Sequence, residues 1–185
     1  MILNAKGNNF FFVFPRGFFP EAVTDKYTPY LKRQPVAYDT ISQMMNSTIQ
    51  SVTVPSIQMG TVEQTRYLGK KIRYKSAVPI QDLFSTDFSV TFKMIDGFLN
   101  YFVMLDTLLY FLNFKNSDVH SMDLAVRLLD NDGNIVTTIG FKETILQSLG
   151  ELQLNYTSNS PETQTFSLGF TCNFIDIVLE AKEGV

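Results

Sequence analysis

The sequence predicts an α+β fold: one antiparallel sheet of about six to eight strands, with two helices against it. Three observations predict it. Short runs of apolar–polar alternation recur along the chain, most cleanly over residues 88–93 and 165–173. A later stretch changes to helical spacing, with Phe98, Tyr101, Phe102, Leu105, Leu108, Leu109 and Leu112 on one side. The composition supplies a core: of 185 residues 45% are hydrophobic and only 18% charged, against roughly 25% charged in an average chain. That length suits one domain over residues 1–185, burying about 70% of the surface the unfolded chain exposes.

Each element follows in order. Phe10-Phe11-Phe12-Val13-Phe14 is a continuous apolar run stopped by Pro15 and Gly17, which reads as a strand buried on both faces. Residues 15–37 carry Pro15, Pro20, Pro29 and Pro35, and a proline inside a helix breaks it, so an extended arm is expected. Tyr38, Ile41, Met45, Ile49 and Val52 then repeat at helical spacing, predicting a helix of about three turns from Asp39. Alternation over 51–59 predicts a strand, and 61–78 a long hairpin whose tip is Leu68-Gly69-Lys70-Lys71. After the strand at 88–93, Asp96 suits the N-cap of a helix over 97–113. Residues 122–129 form a strand, Asp130-Asn131-Asp132-Gly133 a turn, and 134–140 its return arm. Leu152, Leu154 and Tyr156 alternate with Glu151, Gln153 and Asn155 as another strand; the strand at 165–173 follows, and the tail after Asp176 reads as a loose end.

Charge and residue counts exclude several functions. The net charge is −3, which disfavours a simple nucleic-acid-binding domain. A single cysteine, Cys172, and a single histidine, His120, allow no internal disulfide and no multi-cysteine or multi-histidine metal site. Cys172 alternates with Phe170 and Phe174 toward the core, where a thiol is inert. His120 lies in a polar loop with no nucleophile elbow around it. The run Asp130-Asn131-Asp132-Gly133-Asn134 begins like a calcium loop, but Ile135 and Phe141 stand where an EF-hand needs Gly and Glu. Neither a phosphate loop nor a dinucleotide fingerprint is present. No catalytic residue, cofactor or metal is therefore expected. The start of the chain has no signal-peptide pattern, and the most apolar stretch, 98–114, is shorter than the roughly 20 residues a span needs and holds Asp106. A soluble intracellular protein without membrane insertion is expected.

Charge is also split along the chain. Residues 1–75 hold ten Lys/Arg and four Asp/Glu, and residues 76–185 five and fourteen. Two differently solvated faces would explain this, and so would a basic surface on one copy meeting an acidic surface on the next. The basic concentration is sharpest over residues 66–75, ten residues that hold Arg66, Tyr67, Lys70, Lys71, Arg73, Tyr74 and Lys75 and no acid. A solvated hairpin, a nucleic-acid contact and a protein-docking hairpin are the alternatives, and docking on an acidic protein surface fits both this segment and the acidic remainder. The outward side of the last long strand, Ser167, Gly169, Thr171 and Asn173, is polar and uncharged. It suits a surface that slides past its contents, or an ordinary solvated sheet face.

The run Leu149-Gly150-Glu151-Leu152-Gln153-Leu154-Asn155-Tyr156-Thr157-Ser158-Asn159, followed by Gln164-Thr165-Phe166-Ser167-Leu168, resembles the closing strands of the tail tube protein of contractile-tailed bacteriophages. Order of elements extends the resemblance over about 50–176, through Val54-Pro55, the basic hairpin, the strand at 87–93 and the following helix. The resemblance implies a structural virion protein whose homohexameric rings stack head to tail, each subunit's sheet joining its neighbours' into a closed β-barrel, with the helix outside. The barrel would conduct phage DNA, as passing cargo, from the virion during ejection, and the protein would pass through the host cytoplasm during assembly. It implies an inter-ring role for the hairpin residues Arg66, Tyr67, Lys70, Lys71, Arg73 and Lys75, and a channel lining of Gln153, Asn155, Ser167, Thr171 and Asn173. Sheath, baseplate or neck proteins are the implied partners. Residues 15–50 depart from the pattern as an insertion or arm, which keeps open a tube-end, baseplate-junction or neck ring of the same fold. A small β-rich binding module or enzyme using the 116–121 loop is the reading from another class.

Overall fold

The computed structural model describes residues 9–56, 61–65, 71–75, 86–113, 121–154 and 164–180. In chain order these form β1 (Phe10–Val13), α1 (Glu21–Leu31), α2 (Ile41–Thr48), β2 (Ile49–Thr53), β3 (Thr61–Thr65), β4 (Lys71–Lys75) and β5 (Thr86–Lys93). A 3-10 turn (Asp96–Phe98) leads into α3 (Leu99–Leu112), then β6 (Met122–Leu129), β7 (Ile135–Leu149), β8 (Thr165–Cys172) and β9 (Phe174–Leu179). The main sheet runs β1-β6-β7-β8-β5-β2 with β9 also on β7, and β3 and β4 form a separate two-stranded sheet. Every pairing is antiparallel.

The long strand β7 organises the sheet into two layers. Its first part pairs with β6 on one side and β9 on the other; from Ile145 onward it pairs with β8. Between these parts Glu143 takes φ 51°, a conformation that bends a non-glycine strand. Asn173, at the break between β8 and β9, donates from Nδ2 to Glu143 Oε2 at 2.9 Å and so locks the bend in the paired strand. The first layer is thus β1-β6-β7-β9, and the second is the end of β7 with β8, β5 and β2.

The core fills the space between the layers. Phe12, Leu124, Val126 and Phe141 come from the first, and Phe88, Val90, Phe92, Phe166, Leu168 and Phe170 from the second, all buried. Phe88 is stacked between Phe141 at 4.0 Å and Phe170 at 5.1 Å. Helix α3 adds buried Val103 and Met104, and Tyr101 sets its ring edge on Phe166 at 5.5 Å. The alternation that predicted β5 and β8 is this division between core and solvent.

Several expectations are corrected. The proline-rich stretch is not an extended arm: it contains α1, with Pro29 inside its last turn. Val23, Tyr27 and Leu31 form a buried stripe at spacing four, and burial at about 1.5–3 kcal/mol per side chain outweighs a proline cost of about 3 kcal/mol. The second helix ends at Thr48, so Ile49 and Val52 belong to β2 rather than to a helical face. β1 is buried on one face only, with Phe12 1% and Phe11 47% exposed, because only the face turned to the core between the layers is covered. Asp96 opens the 3-10 turn instead of capping α3; the cap position is Phe98, left-handed at φ 55° and without a side-chain capping bond. No strand forms over 151–154, where Gln164 Nε2 donates to the Gln153 carbonyl at 3.0 Å. Ile177, Val178 and Leu179, which follow Asp176, are no loose end but the second half of β9, paired along β7.

Candidate assembly surfaces

The second layer presents a face of hydroxyls. Registered pairing sets Thr53, Ser89, Gly169 and Ser148 in one row and Ser51, Thr91 and Ser167 in the next; Ser89, Thr91 and Ser167 alternate with the buried Phe88, Val90, Phe92, Phe166 and Leu168. Ser89 and Thr53 are linked, Oγ donating to Oγ1 at 3.4 Å. A Cβ on Gly169 would lie 2.3 Å from Ser148 Oγ, so a side chain there would have to turn the Ser148 hydroxyl aside. Asp87 and Lys93 stand at opposite ends of β5, and the Thr171 hydroxyl donates to Asp87.

The sequence-predicted lining residues fall differently. Ser167 and Thr171 share this face. Asn173 sits at the strand break with its amide turned to Glu143. Gln153 lies in the irregular segment after β7, its Nε2 donating to Glu151, and Asn155 is outside the described residues. The contributions of β5 and β2 were missed by sequence reasoning, although the alternation that located β5 also assigns Ser89 and Thr91 to the outer face.

Open strand edges flank this face. Among the described residues no strand pairs beyond β2, and the end of β7 pairs only with β8. Three antiparallel steps separate these two edges, so they run in opposite directions. The first layer has the same property at β1 and β9. Neither β1 nor β9 contains a lysine or proline, the residues that commonly block edge pairing.

The hairpin β3–β4 is the third surface. β3 is exposed along its whole length, with Val62 54% and Tyr74 43% exposed. Glu63 stands opposite Arg73 in the register and pairs with both Arg73 Nε at 2.7 Å and Lys71 Nζ at 3.4 Å. The basic run therefore carries an internal acid that lies just before it in sequence. Of Lys75 the backbone position opposite Thr61 is defined; Arg66, Tyr67 and Lys70 lie outside the described residues.

On the far side of the core α3 is held by α1. Tyr27 donates its hydroxyl to Asp106 Oδ2 at 2.8 Å, and Lys26 pairs with the same oxygen. Burial pushes the Asp106 carboxyl up, but the hydrogen bonds from Lys26 and Tyr27 and the Lys26 charge outweigh it and hold it below the usual range. Phe102, Leu109 and Leu112 remain exposed on the outer side of α3. No helix among the described residues is long and apolar enough to cross a membrane.

Chemistry is sparse on these surfaces. Cys172 is fully buried; burial raises its thiol pKa, the largest influence on it, and Sγ lies 3.4 Å from the Thr86 carbonyl oxygen. No group of three His, Cys, Asp or Glu residues placed to hold a metal occurs among the described residues. His120 lies outside them.

No protein-family model and no curated protein matches the sequence. Solved structures do match in fold. The chain superposes on the tube-terminating cap of the anti-feeding prophage with a TM-score of 0.57 and 10% identity, over 97% of this chain and 94% of that one. A chain of the sixfold-symmetrised anti-feeding prophage baseplate matches with a TM-score of 0.56 and 11% identity, over 96% and 97%. A chain of the sheath–tube complex of the extracellular contractile injection system PVC matches with a TM-score of 0.50 and 15% identity, over 74% and 81%. The chain thus carries the tail-tube-like fold, shared with tube, tube-cap and baseplate proteins of contractile injection systems.

Proposed function

We propose that this chain is a non-enzymatic structural subunit of a contractile tail tube. Six copies form a ring, rings stack head to tail, and the bore passes DNA as cargo. The observation that carries the reading is the second layer itself, a neutral hydroxyl face bounded by two open edges of opposite direction. Side-by-side copies join β2 of one to the end of β7 of the next as an antiparallel pair, and repetition around an axis closes a barrel without edges. A bore lined by Ser51, Ser89, Thr91, Ser167 and Thr171, with Asp87 and Lys93 at the two ends of β5, offers no cations along its middle to bind phosphates tightly. The baseplate relative's sixfold symmetrisation supports the ring number.

The hairpin supplies stacking. A lone two-stranded hairpin is marginally stable in water, and this one exposes Val62 and Tyr74 beside Lys71 and Arg73; an acidic surface on the adjacent ring would satisfy it. Helices α1 and α2, from the 15–50 segment, cover the outside, where sheath, baseplate or neck proteins bind. One observation favours a tube-end role: the match to the tube-terminating cap spans 97% of this chain, against 74% for the sheath–tube complex. Electron microscopy of the purified protein decides between them. Long tubes assign the main tube, single sixfold rings assign the terminus, and a strictly monomeric protein at high concentration overturns both.

A further inference from the structure

We propose that β9 is a second stacking strand, adding itself to the open β1 edge of the copy next along the tube axis. This rests on the head-to-tail stacking proposed above, but it assigns a contact that the hairpin does not make.

The placement of the two edges comes from the register. The hairpin leaves the sheet from Thr53, opposite Ser89, and re-enters at Thr86, opposite Cys172. β9 begins two residues after Cys172, so β9 and the hairpin root share one end of the molecule. β1 lies at the other end: Phe10, Phe11 and Phe12 line a groove with Asn46, Ile49 and Gln50, where β2 starts. A copy displaced along this direction brings the hairpin end, with β9, against the β1 end of the next.

Exposure singles out β9. The row Phe12, Val126, Ile139, Ile177 crosses the core-side face of the first layer. Phe12 is 1% exposed at one end of that row and Ile177 is 58% exposed at the other. The layer overhangs its own core at β9, leaving Ile177 and Leu179 on its core-side face with no cover among the described residues. On the opposite side Val178 is also exposed.

The backbone agrees. Glu180 N donates to Val136 O, so by alternation the backbones of Asp176 and Val178 turn toward β7 and those of Ile177 and Leu179 toward the open side. At the other edge Leu129 N donates to Asn9 O, which leaves the backbones of Phe10 and Phe12 on the open side of β1. Both open sides thus belong to core-side residues. Pairing β9 with β1 of the next copy continues the sheet in phase, antiparallel, with Ile177 and Leu179 beside Phe10 and Phe12.

Two polar features fit. In the groove beside β1, Asn46 Oδ1 is buried without a hydrogen-bond partner among the described residues, and an incoming strand edge brings N–H donors. Arg127, opposite Phe11, is exposed on the same outer face as Asp176, which gives the two ends opposite charge.

The test uses the full chain. Ile177→Pro removes an N–H that the subunit itself does not use, on an edge strand where proline is tolerated. The expected result is rings that form as in the wild type but stack at least about tenfold more weakly, read as tube length by electron microscopy and by sedimentation. A variant that stacks like the wild type overturns the proposal while leaving the tube reading intact; wild-type rings that never stack overturn both this contact and the main-tube role, and assign the terminus. Should Ile177→Pro fail to fold, Phe10→Cys with Ile177→Cys, treated with a short bismaleimide, decides instead. Covalent ladders longer than a ring support the contact, and absence of cross-links in assembled tubes overturns it.

Discussion

Gly150 is held where a side chain has no room. Its N–H donates to Ser167 O at 2.7 Å, and a Cβ there would approach the Ser167 backbone nitrogen to 3.0 Å. Backbone cannot swing aside as a side-chain tip does, so Gly150→Ala is expected to cost about 1–2 kcal/mol by overpacking, measured by denaturant unfolding of the dissociated subunit. An unchanged midpoint would contradict the packing at this corner. Ser167 itself points outward, and Ser167→Arg is expected to leave the midpoint unchanged while impeding DNA passage through assembled particles, since it sets a phosphate-binding cation in each subunit's share of the bore. Normal DNA release from Ser167→Arg particles would remove this face from the channel. Single residues were partly legible in sequence. The alternation around Ser167 and Thr171 gave their side of the strand, because period two decides which face is wet. Gln153 and Asn173 fall off the regular alternation because a break in the strand is set by long-range bonds, those from Gln164 and to Glu143, that no local pattern announces.

Helix α1 exists because of what it lies on. Its proline-rich sequence has poor intrinsic helicity, and its formation depends on Val23, Tyr27 and Leu31 finding the core and on Tyr27 finding Asp106 on α3. Tertiary burial overrides propensity there, against the extended arm that the prolines predict. β5, whose periodicity and burial agree, is legible within about two residues; α3 is legible in extent but not in face, because it buries Leu99, Asn100, Val103, Met104 and Thr107 and leaves Phe102, Leu109 and Leu112 of the predicted stripe exposed. Tyr27→Phe keeps the ring and deletes the hydroxyl bond, so it is expected to destabilise by about 1 kcal/mol, read by thermal unfolding. Acid should act on the same clamp. Asp106 has its pKa lowered in the folded state from an ordinary value of 3.8, so its contribution is present above that value and is lost as pH falls through the lower, folded one. Near-UV absorbance and circular dichroism of tyrosine, followed from pH 5 downward, should show α1 loosening in that range, and Asp106→Asn should abolish this part of the acid dependence. An Asp106→Asn profile identical to the wild type would mean that α1 is held by burial alone.

At the scale of the whole molecule, the split between a basic first 75 residues and an acidic remainder was visible in sequence, but its internal compensation was not. Glu63 lies outside the ten-residue basic run and meets it only because β3 folds back along β4. That fact makes the hairpin testable by more than charge reversal. Lys71→Glu with Arg73→Glu would weaken stacking under the docking reading, yet it would also set two acids beside Glu63 and loosen the hairpin directly. Glu63→Gln separates the causes. Exposed pairs of this kind contribute about 0–1 kcal/mol to folding, so the hairpin should survive their loss. Lys71 and Arg73 are then released to an acidic surface on the next ring. Docking predicts that Glu63→Gln tubes resist dissociation to higher salt than the wild type, because interring attraction between exposed charges is screened over about 8–10 Å at moderate ionic strength. If the cations serve only to hold the hairpin together, Glu63→Gln tubes should instead fall apart at lower salt, and the docking role of Lys71 and Arg73 would be wrong.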